Sequence, residues 1–309
     1  VIGPFSRSLS ILIYHRVVPE PDPLVRDQIC ASEFDWHLTA LKRWFNVLPL
    51  REAAAKLRSG TLPIRAACIT FDDGYADNAT VALPILHEHG LHATFFVATS
   101  FLDGGRMWND SVIESVRGAH ERYDAGCIGL GTLDTSTADL RWLALKKLLE
   151  TLKYLPLEER QSRADELAAQ APRPLPSDLM MTTEQVRLLH ASGMEIGAHT
   201  VTHPILARVD PELAGSEIRD SKHCLEGMTG HPVALFAYPN GKPGRDYRPE
   251  HVRMVKGLNF EAAVSTAPGV AHAASDPFQL PRFTPWDRTP RKFALRLLHN
   301  TFRTQTERV

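Results

Sequence analysis

Cysteine is scarce and scattered: Cys30, Cys68, Cys127 and Cys224 contain no CxxC pair. That argues against a zinc–thiolate centre and against a dense disulfide framework, and predicts reduced, partly buried thiols. Net charge is equally small. Thirty-five Lys and Arg against 36 Asp and Glu leave a formal charge of −1, which offers no electrostatic case for nucleic acid or an anionic membrane as partner. No apolar run approaches the roughly 18 to 20 residues of a membrane helix. Residues 1–10 carry neither an initiator Met nor a secretory hydrophobic region. The expected location is therefore cytoplasmic, with a periplasmic or extracellular one after leader removal as the alternative.

What is present is an alternation of short apolar runs and amphipathic stretches over 309 residues, 43% of them hydrophobic. Ser10–Tyr14, Ala66–Phe71, Ala93–Ala98, Met194–Ala198, Val233–Ala237 and Ala262–Ser265 read as buried strands. Helical spacing predicts helices over Ser32–Phe45 with Ser32 as N-cap, Leu50–Leu57, Asn78–His89, Thr183–Ala191, Pro211–Met228 and His251–Leu258. Repeated strand–helix units predict an α/β fold with a parallel barrel or doubly wound sheet. The Leu-, Lys- and Glu-rich stretch at about 135–176 reads as an inserted helical hairpin within one domain spanning 1–309. A C-terminal amphipathic helix is expected at about 290–303.

Two segments carry chemistry. Thr70-Phe71-Asp72-Asp73-Gly74 ends an apolar strand with adjacent carboxylates, and His199-Thr200-Val201-Thr202-His203 follows another strand with two imidazoles four apart. Neighbours on a regular strand face opposite ways, but Gly74 permits a turn that lets both carboxylates face the strand's C-terminal mouth. Alone, the acidic pair also fits a solvated turn. With both histidines it supplies two imidazoles, a carboxylate ligand and a spare carboxylate. Zinc bound by such a set keeps a coordination position open for water.

The first segment resembles the opening motif of the polysaccharide deacetylases, carbohydrate esterase family 4 with its NodB homology domain. His199–His203 resembles that family's second motif, His-Ser/Thr-x-x-His. Phe236-Ala237-Tyr238-Pro239-Asn240-Gly241 is similar to the third, Phe-Arg-x-Pro-Tyr-Gly. The resemblance implies a distorted (β/α)7-type barrel, with Asp72 as general base and Asp73, His199 and His203 as ligands of Zn2+ or of Co2+, Ni2+ or Fe2+. It also implies that the backbone N–H of Asn240 stabilises the oxyanion, with Tyr238 near the substrate. Ala237 departs from the Arg that orients the base; Arg282 or Arg16 are the candidates to replace it.

The leaving amine needs an acid. Leu295-Arg296-Leu297-Leu298-His299 matches the letters of the family's last motif, yet it lies in an expected helix where the motif belongs on a strand. Ile11-Leu12-Ile13-Tyr14-His15-Arg16-Val17 resembles the opening of the circularly permuted exopolysaccharide deacetylases, which makes His15 the preferred acid. Trp108 and Asp110 fall after a strand, on the catalytic side, as candidate sugar contacts. The implied reaction is N-deacetylation of N-acetylhexosamine units in an oligo- or polysaccharide, an exopolysaccharide or a lipid-linked glycan. Hydrolysis of a small cyclic amide or imide, and carbohydrate binding without catalysis, are the alternatives.

Overall fold

Residues 7–285, 287, 289–301 and 307–309 are described by a computed structural model. In chain order the strands are β1 (Leu9–Tyr14), β2 (Val17–Val18), β3 (Ile29–Cys30), β4 (Asn46–Val47), β5 (Ala66–Phe71) and β6 (Thr94–Val97). They continue with β7 (Arg122–Asp124), β8 (Thr132–Asp134), β9 (Glu195–Ala198), β10 (Leu235–Ala237) and β11 (Ala262–Val264). Every residue of β1 and β5 is buried, as expected of strands covered on both faces.

The principal sheet has seven strands in the order β1-β5-β6-β9-β10-β11, with β4 added beside β5. All of its pairings are parallel. It curls into a distorted barrel. The gap between its edge strands is spanned by the segment from Leu280 to Phe283, which bridges Val264 of β11 at one end and Leu12 of β1 at the other. Backbone bonds from Phe283 to Ile11 and from Ile13 to Phe283 secure that seam. No regular strand forms there, since Pro281 lacks a ladder donor.

Helices cover the outside: α1 (Ala31–Trp44), α2 (Leu50–Ser59), α3 (Leu83–His89), α7 (Thr183–Ala191), α8 (Pro211–Thr229) and α9 (Pro249–Gly257) among them. Two local expectations need correction. α1 starts one residue before Ser32: Cys30 is its N-cap, and the Glu33 carboxylate accepts the Cys30 N–H at 3.1 Å. The stretch Asn78–His89 opens with a π-helical turn, Asn78–Ala82, before α3. Pro84 has no N–H to continue a regular ladder, which favours the widened turn.

The insertion forms the helices α5 (Ala138–Leu152) and α6 (Leu157–Ala168), both packed on α4 (Trp108–Gly118). Val112, Val116, Leu145, Leu148, Leu152 and Leu167 make a separate apolar cluster there. Ahead of it lies an antiparallel hairpin of β7 and β8 that the sequence reading did not foresee. The last helix, α10, runs Pro290–Thr301; residues 302 and 303, expected to belong to it, lie outside the described residues. Among the described residues no helix is long and apolar enough to cross a membrane.

Candidate active site

Each strand of a parallel sheet hands its next loop to the same rim, and here that rim bounds a cleft of about 960 Å3. Asp72 and Asp73 follow β5, His199 follows β9, Asn240 follows β10, Thr266 follows β11 and His15 follows β1. All of them line the cleft.

Backbone strain sets the side-chain directions. Asp73, Thr200, His203 and Asn240 all take positive φ, at 76°, 65°, 53° and 58°. Such angles are costly for non-glycine residues and persist where surrounding contacts over-determine them. Gly74, at φ 90°, completes the turn after the two aspartates. A Cβ there would sit 3.0 Å from Val97 Cγ1, so glycine is required both for conformation and for room.

The Asp73 carboxylate faces two imidazoles. Its Oδ1 lies 3.4 Å from His199 Nε2 and 3.4 Å from His203 Nε2. The His199 ring is fixed from behind: its Nδ1 meets the Ala237 carbonyl at 2.7 Å, which leaves Nε2 to face the cleft. One atom from each of the three residues falls within 4.8 Å of the others. Asp73 Oδ1 is buried and accepts no hydrogen bond among the described residues. A buried anionic oxygen left open between two imidazoles fits a divalent cation. Asp73, His199 and His203 are the residues that could hold it.

Burial works against charge in this cluster, and the outcome differs between its members. It disfavours the Asp73 carboxylate, but His199, His203 and His15 outweigh it and hold that carboxyl well below the usual range. Burial and the nearby His199 hold His203 down at about 3, although Asp73 opposes them. His203 therefore stays neutral, the form in which an imidazole binds metal. Burial also opposes ionisation of Asp72, but Arg282 and His199 win and its carboxyl is lowered.

Arg282 makes the other half of the site. It is fully buried and grips Asp72 with two bonds of 2.7 Å, Nη1 to Oδ1 and Nη2 to Oδ2. Its Nε donates to the Ser265 carbonyl at 3.0 Å, and Thr70 Oγ1 accepts from Nη1 at 3.2 Å. The Asp72 Oδ2 lies 3.9 Å from His199 Nε2, close to the cluster yet turned toward the guanidinium. Of the two candidates for the missing arginine, Arg282 therefore holds Asp72, while Arg16 pairs with Asp77 at 2.7 Å.

The remaining expected residues divide. His15 is exposed on the cleft wall, its carbonyl accepting from Asn78 Nδ2 at 2.9 Å. His299 lies on α10 and lines the same cleft. Asn240 is held by Thr266 Oγ1, which donates to its carbonyl at 2.7 Å. Trp108 opens α4 at the cleft with the Arg160 guanidinium 5.2 Å above its ring. Asp110 is buried; one oxygen accepts from Tyr75 at 3.2 Å and the other has no partner among the described residues. Burial raises its carboxyl to about 7 in spite of Arg16.

Tyr238 corrects the reading of the third motif. Its ring is fully buried, stacked on Tyr247 at 3.9 Å and edge-on to Phe236 at 5.2 Å. The side chain belongs to the core and not to the substrate cleft, because at the end of β10 it points inward beneath the loop.

Glu217 was not foreseen. From α8 its carboxylate accepts the N–H groups of Val201 and Thr202 at 2.8 Å each and the Thr202 hydroxyl at 2.6 Å. It thereby fixes the loop that carries both histidines. The buried acid in an amphipathic helix was visible in the sequence, but its partner was not.

Comparison with known proteins decides the family. The description Polysaccharide deacetylase matches residues 59–132 and 157–262, more than half of the chain. The chain belongs to the polysaccharide deacetylase family. The unmatched gap within that family match, 133–156, takes in α5, the first part of the insertion. His15 and Arg282 lie outside the matched stretches. YxkH of Bacillus subtilis (strain 168), whose name assigns it to the polysaccharide deacetylases, is 23% identical over 265 residues. That alignment takes in 85% of this chain and spans 66% of the relative. Among solved structures, the Streptococcus pyogenes deacetylase PplD in complex with acetate superposes with a TM-score of 0.65 at 21% identity. The match covers 94% of this chain and 98% of PplD. IcaB from Ammonifex degensii gives a TM-score of 0.62 at 19% identity, with 96% and 98% covered. At these identities the family member shares the fold of both.

Proposed function

We propose that this chain is a metal-dependent N-deacetylase of N-acetylhexosamine units in an oligo- or polysaccharide. The observation that carries this reading is the Arg282-clamped Asp72 beside the open cluster of Asp73, His199 and His203 on the floor of a cleft. Family membership sets the reaction class. Acetate, the acid released by deacetylation, is the ligand named for the PplD structure.

Asp73, His199 and His203 would hold zinc, or cobalt, nickel or iron in its place. A divalent ion bound there would supply Lewis acidity, to acidify a water and polarise the acetyl carbonyl. Asp72 takes the proton of the attacking water; Arg282 keeps it ionised and aimed. The Asn240 N–H faces the carbonyl oxygen as negative charge gathers on it. As the C–N bond breaks, His15 gives a proton to the sugar nitrogen, so acetate and a free amine depart. Trp108 and Asp110 contact the bound sugar.

The test is acetate release from N-acetylhexosamine oligomers, neutral and charged, by the metal-loaded protein, with mass spectrometry of the sugar product. Acetate with a matching free amine supports the reading. Intact oligomers alongside turnover of a cyclic imide would transfer the site to the small-amide hydrolases.

A further inference from the structure

The insertion brings an unanswered positive charge to the cleft. Arg160 on α6 is 5% exposed, lines the cleft, and its Nε has no hydrogen-bond partner among the described residues. Burial alone lowers its pKa, with no neighbouring acid acting on it. Its guanidinium lies over the Trp108 ring, 5.2 Å from the centroid. A guanidinium withdrawn from water and left without a counterion is costly, and its planar fork of donors matches carboxylate and phosphate oxygens.

Two further cations share the cleft. Lys153, just past the end of α5, and Lys242, in the loop after β10, both line it. The Lys153 ammonium is lowered by burial and by Lys242, Arg245 and Arg160 around it, with Asp246 opposing. Acids are also near. Glu150 lines the cleft, while Asp246 already accepts the Lys242 backbone N–H at 3.0 Å.

We propose that Arg160, with Lys153 and Lys242, forms an oxyanion-binding subsite beside the deacetylation centre, so that the substrate is a glycan bearing a carboxylate or phosphate close to its N-acetylated sugar. This rests on the deacetylase reading above.

The holoenzyme is assayed on three oligosaccharides: a neutral N-acetylglucosamine tetramer, an N-acetylhexosamine–hexuronate oligomer, and a phosphate-bearing N-acetylglucosamine glycoside. The expected result is a kcat/KM at least about tenfold higher for one charged substrate, mostly through KM. The favoured arm identifies the anion. In Arg160→Gln the charged-to-neutral ratio falls to about one, and Arg160→Lys restores part of it. Equal rates on all three substrates, or a ratio that Arg160→Gln does not change, overturn the proposal. A calorimetric titration with pyrophosphate at constant ionic strength tests the subsite without catalysis. Binding weakens about tenfold in Arg160→Gln at unchanged metal content if the subsite exists, and is unchanged if it does not. Pyrophosphate binding that depends on Arg160, without acetate from any substrate, would support the subsite and overturn the deacetylase reading.

Discussion

Arg282 and Asp72, 210 positions apart in the chain, form a buried two-bond ion pair at 2.7 Å that holds one aspartate away from the histidines claimed by the other. Arg282→Met would strand the carboxylate without a partner. The expected loss is about 3–5 kcal/mol of stability, as for a broken buried pair, read by urea unfolding. Without the guanidinium the Asp72 pKa rises, so the acid limb of the kcat/KM profile moves to higher pH. An unmoved limb would mean that Asp72 is not the base.

Asp72→Asn keeps the shape and removes the proposed base. Acetate release should fall by roughly 10²- to 10⁴-fold, while elemental analysis of the purified protein finds metal content unchanged. Loss of metal instead would reverse the roles of the two aspartates.

Asp73→Ala and His203→Ala each delete one of the three converging groups that could hold a metal ion. Both should lower metal content and acetate release together. Full metal occupancy in either variant would place the ion elsewhere.

His15 and His299 both line the cleft, and the proposed mechanism needs one acid. His15→Ala should slow turnover by roughly 10²- to 10⁴-fold, with His299→Ala affecting it far less. The opposite ranking would move the proton donor from β1 to α10.

Asp110 gives a pH signature in stability. Its carboxyl ionises near about 7 in the fold but near about 4 when unfolded. Between those values the unfolded chain releases a proton that the native one retains, so this residue's contribution to stability falls as pH rises from about 4 to about 7. Asp110→Asn has no such proton. Compared by urea unfolding at pH 4.5 and 7.5, the wild type should lose stability relative to Asp110→Asn; a constant difference contradicts the raised value.

Where placement was local, the sequence was enough. Asp72, Asp73, His199 and His203 sit at strand ends that their own neighbours define, and the strand–helix alternation gives the parallel sheet. What escaped depended on distant packing. Nothing near Glu217 says that it caps the histidine loop, and nothing near Arg160 says that its helix folds back over Trp108. Arg282 was one of two candidates until the seam geometry chose between them. Tyr238 was misread because alignment to a motif gives a residue's place in a loop but not which way its side chain turns.

The sheet's seam joins segments far apart in the sequence, with β1 on one side and the Leu280–Phe283 segment on the other. The three residues that could hold metal are all present once residue 203 has been made, whereas Asp72 gains its arginine only with residue 282. Under the proposed mechanism, a chain that stops before residue 282 would carry the three candidate ion-binding residues without a poised base. Catalytic competence would then report that the seam has closed.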